Sequence, residues 1–329
     1  MKLSILDFGT IYGDASDVES LQSVLNTVRL ADELGFHRFW FTEHHSMSTL
    51  LSTAPDLLIA MALAHTKRIR LGAGGIMLPN HSALKVSENF RLLSIAAPDR
   101  IDLGLGRAPG TNQQTALALS RSSQVMMHND FNQQLQELKS FLGSGFPKGH
   151  PYASIEMPGR DHHNPNLMML GSSRGGVEFA LAHDLPFVFA GHIGPDLMVE
   201  VLKYYNENKT SNLESVAAIG VVCAQTDEQA QYLAEPYILM WVKRMTGSMN
   251  LQRDSVEAAN AHNYTPLELM HRESILKRVM IGSPQTLETK FKDLMNSTGV
   301  EEIMMVDCYP DVESKLEGYR LLSESLLSL

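Results

Sequence analysis

The residues best equipped for chemistry in this 329-residue chain stand at 43–45, where the apolar run of RFWFTEHHSM ends in Glu43, His44 and His45. A carboxylate beside two imidazoles could ligate a metal, move a proton, or simply end a strand in polar residues. In a strand, successive side chains alternate faces. His44 then shares a face with Thr42 and Trp40, while Glu43 and His45 turn the other way. Adjacent histidines on opposite faces cannot chelate one ion, and the helical HExxH spacing is missing, so no metal site is expected. Neutral imidazole near pH 7 both gives and takes a proton, which makes His44 the candidate acid/base group and leaves Glu43 and His45 as its support.

Three further stretches bear on binding. In NLMMLGSSRGGVEFALAHDLPF (166–187) an apolar run meets Ser172, Ser173 and Gly176, then a helical pattern. Such a turn aims free N–H groups and a helix dipole at an anion, although an ordinary strand–helix turn with a serine cap has the same text. In RIDLGLGRAPGT the glycines are spaced GxGxxxG and interrupted by Pro109, which does not make a dinucleotide fingerprint. Arg107, leaving the strand there, offers a planar cation suited to phosphate, or to a loop carboxylate. In RIRLGAGGIMLPNH the glycines, Gly74 and Gly75 among them, leave a bare backbone for a flat ring or a tight turn.

Something must bring these stretches to one place. Short runs rich in Ile, Val, Leu and Phe alternate with helical periodicity, the sign of a parallel sheet. Strands are predicted at 3–8, 38–42, 69–73, 101–105, 167–170, 186–189, 216–223 and 302–306, with a closing helix at 312–328. Eight such units without a Pro/Gly/Ser-rich linker predict one (β/α)8 barrel, a TIM barrel, over residues 1–329. Each stretch named above then falls at the C-terminal end of a strand, where barrels carry their active sites. Two intervals exceed the repeat, 143–166 and 245–270, and the second is read as a lid over the barrel mouth.

Composition excludes other classes. With 44% hydrophobic and 19% charged residues the chain is globular, and a net charge of −10 without a basic block argues against a nucleic-acid partner. No apolar run is long enough for a bilayer, and MKLSILDFGT lacks a signal-peptide core, so a cytoplasmic protein with a small-molecule partner is expected. Cys223 and Cys308, each in an apolar stretch, read as core residues.

In this order, GFHRFWFTEHH, RIRLGAGGIMLPNH, RIDLGLGRAPGT, MLGSSRGGVEFALAHDLPF and VMIGSPQTLETKFKDL with EEIMMVD resemble the bacterial luciferase-like monooxygenases, over nearly the whole chain. The likeness is to single-chain FMN-type members of unassigned substrate. It implies reduced FMN as cofactor, supplied by a separate flavin reductase, and oxygenation of a small organic substrate, an aldehyde being the family's best-known case. It implies His44 beside the reactive edge of the flavin, with Glu43 and His45 supporting the loop. Gly74 and Gly75 would form a strand-3 bulge, commonly with a cis peptide, against which the flavin lies. Arg107 and the backbone of Ser172, Ser173 and Gly176 would hold the phosphate. A related deazaflavin-dependent oxidoreductase and a non-enzymatic flavin-binding protein share these features. Finally, APDLLIAMALAHT (54–66) is apolar almost all round, so its outer side needs cover, and a homodimer is expected.

Overall fold

The computed structural model describes residues 1–120, 130–143, 145–161, 163–210, 212–248 and 252–327. Its sheet has nine parallel strands: β1 (Lys2–Asp7), β2 (Arg38–Phe41), β3 (Arg70–Met77), β4 (Ile101–Gly106), β5 (Asn166–Gly171), β6 (Phe187–Ala190), β7 (Ser215–Cys223), β8 (Val279–Gly282) and β9 (Glu302–Asp307). Eight of them close a barrel. β1 to β6 pair in sequence order, β6 pairs with the first half of β7, and β9 joins β7 to β1. The eight predicted strands are these eight, each end within one residue except that of β3, which runs on to Met77 through a register shift between Gly74 and Ile76. β8 is the addition. It pairs with the second half of β7, from Gly220 with Val279 to Cys223 with Gly282, beyond the end of β6 on the same edge. Four residues, two of them only half-buried, give it no apolar run to detect.

Polar residues floor the barrel, which hydrophobic patterning does not anticipate. Arg38 donates to Asp102 at 2.9 Å and to Glu302 at 2.9 Å, and Trp40 Nε1 donates to the same Asp102 at 3.0 Å. These groups are buried and satisfy one another, as charges removed from water must. Arg38 and Trp40 therefore face inward and Phe39 and Phe41 outward, with the outward rings 5.2 Å apart.

The two long intervals lie at opposite ends. The described part of 143–166 has neither helix nor strand before Asn166, where β5 begins. It links the helix Phe131–Leu142 to β5, so it sits at the N-terminal face, where Phe146 packs on Phe141 at 4.8 Å. Ser144 and His162 lie outside the described residues. The second interval needs correction. The helix that packs between the outer helices Met198–Asn208 and Val312–Leu326 is Pro284–Thr298, so the whole stretch from 224 to 283 is an excursion at the C-terminal face. It holds the helices Asp227–Met245, Val256–Asn260 and Pro266–Leu276, and then β8; residues 249–251 lie outside the described residues. The 245–270 stretch thus holds one short helix, Val256–Asn260, and the first turn of Pro266–Leu276. Its start signals are local: Ser255 caps one helix, and Thr265 with Glu268 forms a capping box on the next. Among the described residues no helix is long and apolar enough to cross a membrane.

Candidate active site

The inward register of β2 carries past its end. Phe8, following β1, stacks on the His44 ring at 5.3 Å between centroids, and His192, following β6, meets Phe8 edge-on at 6.3 Å. His44 thus stands at the barrel mouth among residues from two other strand ends. Burial pushes its imidazole below the ordinary value, with the nearby His45 adding to this and a hydrogen bond to the Gly110 carbonyl opposing it. At neutral pH His44 is therefore uncharged, the form that can both accept and return a proton. His192 was not singled out from the sequence. It is pushed down to about 4, first by burial, while the Ala218 carbonyl lies 3.4 Å from its Nδ1. A lone histidine in AGHIG has no spacing signal, and only the strand count could have placed it at the rim.

Glu43 and His45 take the other face, as the alternation requires. Glu43 is fully buried and is held by four groups: the Met77 amide at 2.8 Å, Asn80 Nδ2 at 3.3 Å, His81 Nε2 at 2.9 Å and His45 Nε2 at 2.9 Å. Burial alone would raise its carboxyl, but His81, His45 and the amide more than offset this and hold it below the carboxylate range. Met77, Asn80 and His81 belong to IMLPNH, the motif after β3, so EHH and LPNH are joined through one carboxylate. The RAPGT loop after β4 closes on both: Thr111 Oγ1 donates to the His45 carbonyl at 3.2 Å, and Asn80 donates to the Pro109 carbonyl at 3.0 Å. Three strand-end loops, far apart in sequence, form one interlocked rim.

The strand-3 bulge is present. The Gly74–Gly75 peptide is cis, and the β3–β4 register shifts beside it. A Cβ on Gly75 would lie 2.7 Å from the Gly104 carbonyl oxygen, and one on Gly74 would meet Leu6 and Trp40. The bare glycines are thus consumed by packing beneath the mouth, and what the bulge offers a ring is its backbone face.

Across the mouth, Arg107 leaves β4 and its Nη2 lies 3.6 Å from the Cβ position of Gly176 in the helix Arg174–Ala182, with its guanidinium 5.6 Å from the Phe179 ring. It is exposed, and no described carboxylate pairs with it. Ser173 is the helix N-cap, yet its hydroxyl does not cap. Ser172, one residue earlier, packs its backbone against Gly194 in the loop after β6. Arg107, Ser172, Ser173 and Gly176 therefore converge, and they present a free guanidinium, a free hydroxyl and a helix N-terminus, the donor set an anion requires. Inside the mouth, Thr42 Oγ1 is buried without a partner among the described residues. A phosphate-bearing flavin fits this arrangement: donors for its phosphate at one side, a backbone face at the bulge, and an unsatisfied hydroxyl with a neutral histidine beneath.

Known proteins resemble the chain over nearly its whole length. The apo-MsnO8 crystal structure superposes with a TM-score of 0.89 at 31% identity, covering 100% of this chain and 99% of that one. The uncharacterized protein YceB of Bacillus subtilis is 37% identical over 99% of both chains. A luciferase-like monooxygenase of Escherichia coli strain K12 is 31% identical over 97% of this chain and 95% of its own. Residues 1–302, which hold the three interlocked rim loops, match the luciferase-like monooxygenase family, and to that family the chain belongs.

Proposed function

We propose that the protein is a flavin-dependent monooxygenase that uses reduced FMN and molecular oxygen to oxygenate a small organic substrate. The observation that carries this reading is the convergence at one barrel mouth of an uncharged His44, the Gly74–Gly75 backbone face and an unpaired Arg107 beside a helix N-terminus. One relative, the N-acetyl-S-alkylcysteine monooxygenase of Bacillus subtilis, 28% identical over 100% of this chain and 99% of its own, carries the same class of reaction in its name.

The bound reduced flavin would supply the electrons and the site at which oxygen is activated. The chain supplies the rest. Arg107, the Ser173 hydroxyl and the amides that open the helix Arg174–Ala182 beside Gly176 would hold the phosphate. The bulge backbone would face the ring. His44 takes or returns a proton at its imidazole, kept uncharged by burial and aimed by Gly110 and Phe8. Glu43 and His45 keep the loop in place, and the 224–283 excursion sheds water from the mouth. The Rossmann spacing is missing from the glycine stretches, so reduced flavin is expected from a separate reductase.

The test is titration of the purified protein with FMN, riboflavin and F420, followed by oxygen uptake with an added flavin reductase and a substrate panel. FMN should bind more tightly than the other two. Arg107→Ala should lose about 1.5 to 3 kcal/mol of FMN binding, roughly one to two decades in affinity. Preference for F420 would replace oxygenation by hydride transfer, and FMN binding without any substrate-dependent oxygen uptake would leave a flavin-binding protein.

A further inference from the structure

Two arginines at the C-terminal face are left without any protein partner among the described residues. Arg107 is one and belongs to the phosphate cradle. The other is Arg278, between the helix Pro266–Leu276 and β8. Its carbonyl accepts from the Gly220 amide at 3.0 Å, which fixes its backbone against the barrel wall, and Gly220 faces Cys308 inside the mouth. Among the described residues its buried Nε finds no hydrogen-bond partner, and no carboxylate comes within ion-pair distance of the guanidinium. Its charge reaches two groups at the top of the mouth, His192 and Tyr237, neither of which can neutralise it. Other arginines of the barrel end in partners: Arg38 in Asp102 and Glu302, Arg70 in Asp102, Arg253 in the Tyr309 carbonyl. The nearby carboxylates are also spent, Asp307 on Tyr12 and Lys315, and Glu43 on the rim histidines.

A half-buried cation with an orphaned donor costs stability unless something compensates it. A ligand would compensate it, and a planar guanidinium matches a carboxylate in two parallel hydrogen bonds. The flavin phosphate has its own donors after β4 and β5, whereas Arg278 lies against β7, on the far side of His192. Building on the monooxygenase reading, we propose that Arg278 binds the carboxylate of the organic substrate, so that the enzyme oxygenates small carboxylic acids and holds them with the acid end under the 224–283 excursion. The opposite end of the substrate then extends past His192 toward His44.

The experiment is calorimetric titration of the FMN-loaded protein with straight-chain carboxylates from butanoate to decanoate, each beside the amide of equal length. The affinities of oxidised and reduced FMN are measured first, and the titrations are repeated on flavin-free protein. At one chain length or more the carboxylate should bind about tenfold or more tightly than its amide. Arg278→Met should erase that preference and Arg278→Lys should keep part of it. FMN affinity should stay within about twofold, and the thermal midpoint should hold or rise, because an unpaired cation is removed. Equal binding of acid and amide at every length overturns the proposal. So does an Arg278→Met protein that loses FMN, oxidised or reduced, as strongly as it loses carboxylate, since Arg278 would then serve the flavin. A carboxylate preference in a protein that fails to bind FMN would sink the flavin reading and leave the carboxylate site standing.

Discussion

His44 and His45 are neighbours in sequence and opposites in environment. One stacks on Phe8 at the mouth; the other bonds to Glu43 within the rim. Removing the His44 ring takes away the proton-transfer group but none of the phosphate donors. For His44→Ala we expect nearly unchanged FMN affinity and turnover lower by roughly 100-fold, the usual contribution of a positioned acid or base. His45→Ala should instead leave Glu43, already buried, one hydrogen bond short, costing about 1 to 3 kcal/mol and lowering the thermal midpoint before it lowers turnover. Paired measurement of FMN affinity, thermal midpoint and oxygen uptake separates the two. If His44→Ala keeps full turnover, EHH is only rim structure. The alternation rule made this difference readable from text, since a one-residue shift of register would have exchanged the two histidines. It could not reveal why Glu43 is buried. The four groups that make burial tolerable include three that come from 77–81, and sequence carries no distance between 43 and 81.

Elements were legible where one periodicity ruled them. β3 shows the limit: its reading stopped at 73 because GAGG has no side chains to alternate, yet the strand runs through the bulge to Met77. The 224–283 excursion was half seen, because Asn-rich polar text reads as loop although Thr265 and Glu268 already spell a helix start. Beside the β7–β8 pairing, a side-chain tie between this excursion and the barrel is Arg253, which no local pattern marks. It donates to the Tyr309 carbonyl and reaches the Asp307 carbonyl at 3.5 Å, and its guanidinium lies 5.4 Å and 5.6 Å from the Tyr12 and Tyr237 rings. Tyr12 in turn donates to Asp307, which Lys315 holds from outside at 3.4 Å. Arg253→Ala removes the tie but not the helices' own contacts, such as Tyr264 with Glu235 and Arg272 with Glu235 at 2.7 Å. Chymotrypsin should then cut between 246 and 270 several-fold faster, while the barrel's thermal midpoint falls by only a few degrees, as expected for local opening. Cutting spread over the whole chain, or no change in rate, would show that Arg253 does not fasten the excursion.

At the scale of the molecule, the barrel leaves two of its outer helices poorly covered. The helix Pro55–Leu63 turns Leu57 and Met61 outward at 59% and 44% exposure, and the adjacent Ala83–Ala96 turns out Leu92 and Ile95 at 63% and 39%. The inner sides of the same helices are full, with Ile59, Ala62, Phe90 and Leu93 in the core. The apolar text of 54–66 is therefore not accounted for by the barrel alone, and the closing helix Val312–Leu326 does not shield it, since Leu57 and Met61 remain open. Large apolar side chains left open on adjacent helices suit a subunit contact, and two-fold pairing lets each copy cover the other. A second exposed set, Leu267, Leu269 and Met270, lies on the excursion at the opposite side of the fold's logic, over the mouth and not on the barrel wall. The two faces make different predictions. We expect a dimer by light scattering at micromolar concentration, and Leu57→Arg with Leu92→Glu should shift it to a monomer that keeps its far-ultraviolet circular dichroism. Leu267→Glu with Met270→Glu should leave the mass unchanged. A wild-type protein that scatters as a monomer removes the dimer altogether, and a dimer broken only by the second pair moves the contact to the excursion, where association would regulate access to the site.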